Sequence, residues 1–183
     1  LELAELVSHE TRRDGFPAGG EALWQASLGV ADELVVMLLG VDGRYRLAAA
    51  SLCSPSDWLL EEKLGLTMEE VHSPIPRLNA EIGEQIDRFF VRLPADRSVQ
   101  RFNWSIMPHP NYLSREHWEI AAEANELWYR AERQSLRRLP KTGAIAFTIR
   151  VHICALESLA SIDGALESLW QAAADAPEDL QRY

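Results

Sequence analysis

Five histidines, two cysteines and a cluster of arginines are the side chains of this chain whose types and spacing bear on chemistry. His72 comes first. It stands between a helix-forming stretch and Pro74 and Pro76, so its backbone has little freedom left to lose when the imidazole takes up a metal or a proton donor. The plainer role is that of a helix C-terminal histidine, which the macrodipole stabilises by up to about 1 kcal/mol without any ligand. His152 is the next candidate, because alternation sets it on the strand face that also bears Arg150. His9, His109 and His117 stand alone, and no His-x-x-x-His or acid–histidine cluster marks a metal centre built from side chains.

Arg130, Arg133, Arg137 and Arg138 crowd one expected strand, and Arg150 lies on its expected hairpin partner, so the guanidinium groups need counter-charge. Glu132 supplies it if the register sets it opposite Arg150. A one-residue slip instead opposes Arg133 to Arg150, which is favourable only with a shared anion between them. The spacing leaves both registers open, and with them two roles: an internal ion-pair network or a carboxylate-binding site.

Arg101-Phe102-Asn103-Trp104-Ser105 places a cation, two large rings and two polar side chains in five residues. Alternation sends the rings to one face and the amide to the other, and the rings read as core before they read as an aromatic box for a cation. Ser54, Ser56 and Ser135 lack the Gly-x-Ser-x-Gly turn of a hydrolase nucleophile, and no glycine-rich phosphate loop is present. Cys53 and Cys154 have no Cys-x-x-Cys neighbour, which excludes a zinc ribbon, iron–sulfur ligation within the chain and covalent heme attachment. They read as two buried, reduced thiols.

The elements that must position these groups belong to a single globular domain. The chain has 183 residues, 47% of them hydrophobic and 25% charged, with no internal repeat and no low-complexity linker. Its net charge of −10 repels phosphate backbones and anionic lipid, so neither nucleic acid nor a membrane is an expected partner. The longest apolar run, around Leu34 to Leu39, falls far short of the ~18–20 residues that span a bilayer. The first residues alternate acids with aliphatics and lack the basic region of a signal peptide, which points to a cytoplasmic location.

Periodicity and punctuation then place the elements. Residues 1–13 read as helical, Glu21 to Leu28 as a short helix, and Leu34–Leu39 with Tyr45–Leu52 as a hairpin turning at Asp42-Gly43. Ser54 reads as the N-cap of a helix ending at Leu64-Gly65, and Thr67 with Glu70 as a capping box running into His72. Leu78, Ile82, Ile86, Phe89, Phe90 and Leu93 recur at helical spacing. Strands are expected at Gln100–Ile106, in Leu127–Arg138, and at Ala144–Ile153, where Ile145, Phe147, Ile149, Val151 and Ile153 alternate with smaller or polar residues. A last helix over Ala155–Ala174 breaks only at Asp163-Gly164. Hairpins with intervening helices make an α+β domain built on an antiparallel sheet.

Four separated motifs together resemble the heme-dependent oxidative N-demethylase alpha-subunit-like family. They are Cys53-Ser54-Pro55-Ser56-Asp57-Trp58 with Lys63 and Gly65, His72-Ser73-Pro74-Ile75-Pro76, Arg101-Phe102-Asn103-Trp104-Ser105, and the run Glu132 to Gly143 leading into Phe147-Thr148-Ile149-Arg150. The similarity runs from about Glu33 to the C-terminus, with mild departures at Ile75, Ser135 and Val151, and leaves part of the family's N-terminal region without a counterpart. It implies a PAS-like core over about residues 30–155 that holds heme b, uses O2, and demethylates a small secondary amine such as dimethylamine. Electrons would come from a separate NAD(P)H-dependent reductase carrying flavin and an iron–sulfur cluster, and the family likeness is compatible with a homo-oligomer. On this resemblance His72 becomes the expected iron ligand, with His152 behind it. Arg133 and Arg150 gain the heme propionates as partners, and Glu132, Trp104 and Asp57 become candidates for the substrate side. The alternative is a PAS-like module that binds heme or a small ligand without catalysis, since fold-level likeness does not establish turnover.

Overall fold

Alternating aliphatic side chains drive residues 145–155 into a long strand, and this strand forms the centre of the sheet seen in the computed structural model. The structure describes residues 2–3, 21–55, 58–73, 78–112 and 126–178. A short helix α1 (Ala22–Ser27) precedes strands β1 (Glu33–Leu39) and β2 (Tyr45–Ser51). Helices α2 (Leu60–Lys63), α3 (Met68–Val71) and α4 (Leu78–Arg92) follow, then strands β3 (Val99–Met107), β4 (Trp128–Arg138) and β5 (Ile145–Ala155). A 3-10 segment (Leu156–Ser161) and helix α5 (Ala165–Asp175) end the described part. The expected helix over residues 1–13 lies, apart from residues 2 and 3, outside it.

The five strands lie in the order β2-β1-β5-β4-β3, and every neighbouring pair is antiparallel. The domain is therefore α+β, with the anticipated hairpin turning at Gly43, whose φ of 78° needs a residue without Cβ. The edge strands β2 and β3 are joined by α2, α3 and α4, which crosses the chain over one face of the sheet. This arrangement is compatible with the PAS-like core implied by the family resemblance.

Each face of the sheet has its own core. On the face crossed by the helices, Phe90 of α4 and Leu93 just beyond it pack on Val35, Met37, Tyr45, Leu47, Leu136 and Ile145. Tyr45 and Phe90 meet edge to face at 5.5 Å. On the other face Ala22 and Ala26 of α1 join Leu3, Leu34, Leu139, Ala144 and Ala146. Burial of an aliphatic side chain such as Ile145 or Met37 contributes about 1.5–3 kcal/mol, so these two clusters carry most of the driving force.

Several local expectations are corrected. Ser54 is not a helix cap: α2 begins at Leu60 behind an uncapped Leu59, and the Ser54 hydroxyl donates to Glu33 instead. In α4 and just beyond it the buried positions are Phe90 and Leu93, with Ile86 partly buried, while Phe89 is exposed; the Ile82 side chain lies outside the described residues. In β5 Ile145 is fully buried, whereas Phe147, Ile149 and Val151 are half-buried. Phe102 and Trp104 are not core: β3 is an edge strand and their face is open, leaving Phe102 73% exposed. Cys53 is exposed and Cys154 half-buried, both as free thiols. Residues 156–161 form a 3-10 segment rather than the first turns of the last helix.

Candidate functional site

The sheet register sorts the candidate residues onto two faces, because directly opposed residues on neighbouring strands project to the same side. One set of rows reads Arg101, Gln134, Ile149, Glu33, then Asn103, Glu132, Val151, then Ser105, Arg130, Ile153. These rows continue the face that Met68 and α4 pack against, and we call it the inner face. The alternate rows read Phe102, Arg133, Arg150 and Trp104, Ala131, His152, and these form the outer face.

On the inner face the polar side chains make one connected network. Glu33 Oε1 accepts hydrogen bonds from the Cys53 and Ser54 backbone N–H groups and from Ser54 Oγ at 2.6 Å. Arg130 donates to the Ser54 carbonyl at 2.8 Å and to Glu132 Oε1 at 2.6 Å, and Gln134 donates to Glu132 Oε2 at 2.7 Å. Arg130 is only 3% exposed and Glu132 13%, so the pair sits where a lost partner is expensive. Glu33 and Glu132 are balanced in formal charge by Arg130 and by Arg101, which lies in the same row as Gln134 and Glu33. Sequence reasoning missed Glu33, Ser54 and Gln134 as members, since nothing local signals a bond between residues 76 positions apart such as Ser54 and Arg130.

His72 is positioned by the anticipated capping box. Thr67, fully buried, caps α3: its hydroxyl accepts from the Glu70 N–H at 3.3 Å, and the Glu70 carboxylate accepts from the Thr67 N–H at 2.7 Å. That helix is a single turn, and His72 is its C-cap residue. The His72 ring lies 2.8 Å through Nδ1 from the Met68 carbonyl, and a carbonyl only accepts, so Nδ1 carries the proton. Nε2 then holds the lone pair. Burial, followed by the nearby charges of Arg101 and Lys63, keeps the ring's pKa below its usual 6.5 against the opposing pull of the Met68 carbonyl. The ring is thereby held neutral, oriented and in the tautomer that a metal-ligating histidine needs.

His109 makes an instructive contrast. It is buried, but its Nδ1 accepts the Asn111 N–H at 3.2 Å, which leaves Nε2 as the protonated nitrogen of a neutral ring. His152 is exposed on the outer face beside Ala131.

The outer face holds the other predicted residues. Of the two registers left open, the structure takes the one that opposes Arg133 to Arg150 and pairs Glu132 with Val151. The shared anion that this register needs is Asp32, whose carboxylate lies 3.2 Å from Arg133 and 3.8 Å from Arg150. Trp104 stacks on Tyr129 with centroids 6.5 Å apart, on the side of the sheet away from Glu132. The structure thus sets Glu132 on the inner face and separates it from Arg133, Arg150, His152 and Trp104, while His72 ends α3, whose Met68 packs against that face. Asp57 lies outside the described residues.

A surface cleft of about 440 Å³ opens near the end of α4 among Phe89, Arg92, Leu93 and Val99, and His72 is not part of its lining. Among the described residues no group of three or more His, Cys, Asp or Glu side chains could hold a metal ion. A lone imidazole nitrogen, by contrast, suits a metal that brings its own ring of ligands, as heme iron does. No helix among the described residues is long and apolar enough to cross a membrane. The comparison with known families meets this geometry from the other side: the family model described as "Haem-dependent oxidative N-demethylase, alpha subunit-like" matches residues 5–183, and the chain belongs to that family.

Proposed function

We propose that the protein is the heme-bearing component of a monooxygenase that demethylates a small secondary amine such as dimethylamine. Reduction comes from a separate NAD(P)H-dependent reductase carrying flavin and an iron–sulfur cluster. The balanced reaction consumes the amine, O2, NAD(P)H and one proton and yields methylamine, formaldehyde, water and NAD(P)+. The observation that carries this reading is the His72 ring, held neutral with Nδ1–H on the Met68 carbonyl and Nε2 left as the ligand nitrogen. When bound, heme supplies the oxygen chemistry that no side chain of this chain provides.

The chain's own part is positioning and charge. The capping box fixes α3 and with it the imidazole, in a family whose name specifies heme dependence. Glu132 carries the substrate side: both its oxygens are already held by Arg130 and Gln134, yet each keeps a second acceptor position. Glu132 takes the ammonium proton so that the neutral amine is presented for oxidation at its methyl carbon.

The test begins with the absorption spectrum of purified protein. A Soret band is expected, and it should be lost or greatly weakened in His72→Ala. A wild-type Soret spectrum in that variant would assign the ligand elsewhere. Formaldehyde release with dimethylamine, reductase and NAD(P)H then separates an enzyme from a heme-binding sensor. Unchanged kcat/KM in Glu132→Gln would remove Glu132 from the reaction.

A further inference from the structure

The sheet has two edges, and the chain treats them differently. At β2 the segment between α2 and α3 lies along the free side of the strand. The Leu47 N–H donates to the Leu66 carbonyl at 2.9 Å, the Gly65 N–H donates to the Leu47 carbonyl at 2.8 Å, and Arg46 bridges to Thr67. A register shift at Val36 and Met37 also interrupts the pairing of β1 with β2. That edge is closed.

At β3 the chain does nothing comparable. Its nine residues pair with β4 in unbroken register, from Val99 opposite Leu136 to Met107 opposite Trp128, and among the described residues no backbone group outside β4 bonds to them. An open row of N–H and C=O groups is a template for another strand, and natural edges are blunted by proline, bulges, short length or a covering loop. Among the described residues β3 has none of these. Five consecutive residues, Gln100 to Trp104, are exposed, and Phe102, Trp104 and Ile106 lie exposed on the open outer face.

A second copy of the chain is the occupant that fits this edge. Two antiparallel strands related by a two-fold axis normal to the sheet pair all nine residues only when the axis passes Asn103, the midpoint of Val99–Met107. Phe102 then faces Trp104 of the other copy, Arg101 faces Ser105, Gln100 faces Ile106, and Val99 faces Met107. Directly opposed residues share a face, so both aromatic pairs fall on the outer side, where Trp104 already stacks on Tyr129. Charge points the same way. A net charge of −10 on each copy opposes association in general, but β3 carries no acid, and its one charged residue, Arg101, meets a serine rather than another arginine.

We propose that the protein forms a two-fold dimer by antiparallel pairing of β3 with β3 of a second copy, which joins the two sheets into one. The inner faces of both copies then lie on the same side, and the row that holds Glu132 and Asn103 runs on into its counterpart, so the two polar networks flank the axis. The proposal is independent of the heme reading.

The experiment measures mass in solution by light scattering over a range of protein concentrations. Wild type is expected at twice the chain mass. The double substitution Phe102→Glu, Trp104→Glu opposes like charges at both aromatic pairs and should give a monomer with unchanged circular dichroism, and Phe102→Lys, Trp104→Lys should do the same. Mixing the two variants opposes unlike charges and should restore the dimer, a result that misfolding of either variant does not produce. Asn103→Cys, in a chain that also carries Cys53→Ser and Cys154→Ser, should give a disulfide-linked dimer with oxidised glutathione. Opposed residues of an antiparallel pair have Cα atoms about 4.5–5.5 Å apart, which is within disulfide reach.

The proposal is overturned if wild type is monomeric at every concentration, which would leave the edge to a strand of a different protein, or if both charge variants stay dimeric. A dimer that the mixed variants restore but that Asn103→Cys does not crosslink is packed through the outer faces, and it overturns strand pairing as well.

Discussion

Arg130 and Arg133 stand three residues apart on one strand and live in different electrostatic worlds. Arg130 projects inward, is 3% exposed, and meets Glu132 at 2.6 Å within a network that also holds Ser54, Gln134 and Glu33. Arg133 projects outward, is 44% exposed, and shares Asp32 with Arg150 at 3.2 and 3.8 Å. A charge pair removed from water is held by geometry, and losing one member strands the other. A pair left in water is screened and contributes little. The inner face therefore has the organisation of a site, whereas the outer arginines are neutralised in place.

Substitutions on the two faces should separate these cases, and the largest effect is expected inside. Arg130→Met leaves Glu132 buried with one partner and Ser54 without its donor, and should cost about 3–5 kcal/mol in denaturant unfolding. A loss below about 1 kcal/mol would erase the distinction between the faces.

Thr67→Ala removes the hydroxyl that caps α3 at a fully buried position, and should cost about 1–2 kcal/mol. In a protein of this size that lowers Tm by roughly 2–8 °C. If His72 is positioned as described, heme affinity should fall with it, although Thr67 touches no ligand.

The pH dependence of stability tests the buried state of His72. Its folded-state pKa is depressed, so between 6.5 and that lower value the unfolded chain binds the proton and the folded protein does not. Its contribution is complete above pH 6.5 and is lost as pH falls through the folded value, with a slope of at most about 1.4 kcal/mol per pH unit. His72→Asn should flatten that part of the profile. An unchanged profile would show that the ring is solvated and titrates freely.

The smallest effect is expected outside. Arg133→Met should change stability by no more than about 1 kcal/mol and by less at high salt. A cost near that of Arg130→Met would mean that the Asp32 cluster is part of the protein's structural core after all.

Much of this architecture was legible in local pattern. Strict alternation announced β5, helical spacing announced α4, and Asp42-Gly43 announced the first hairpin. Thr67 and Glu70 announced the cap that sets His72 at the end of a helical turn. Each of these signals involves residues within a few positions of one another, where backbone geometry alone decides which side chains meet.

The misreadings share the opposite property. Phe102 and Trp104 have the composition of core, yet β3 is an edge strand, and edge position depends on how distant strands are ordered. Ser54 has the type and context of an N-cap, but Glu33 lies across the fold and supplies a better partner for its hydroxyl than a helix N-terminus.

Residue order by itself therefore determined the turn of the first hairpin and the single-turn helix that ends at His72, because hydrogen bonds over three or four residues follow from φ and ψ. Tertiary structure alone decided which arginine faces inward. The sheet has a period of two, so one residue of register exchanges its faces, and that register is settled by strands and loops far apart in the chain. Asp32 reaches Arg133 across 101 positions, and Ser54 reaches Arg130 across 76. Only the pairing of distant strands could place Glu132 and Arg101 on one side and leave Arg133 and Arg150 on the other.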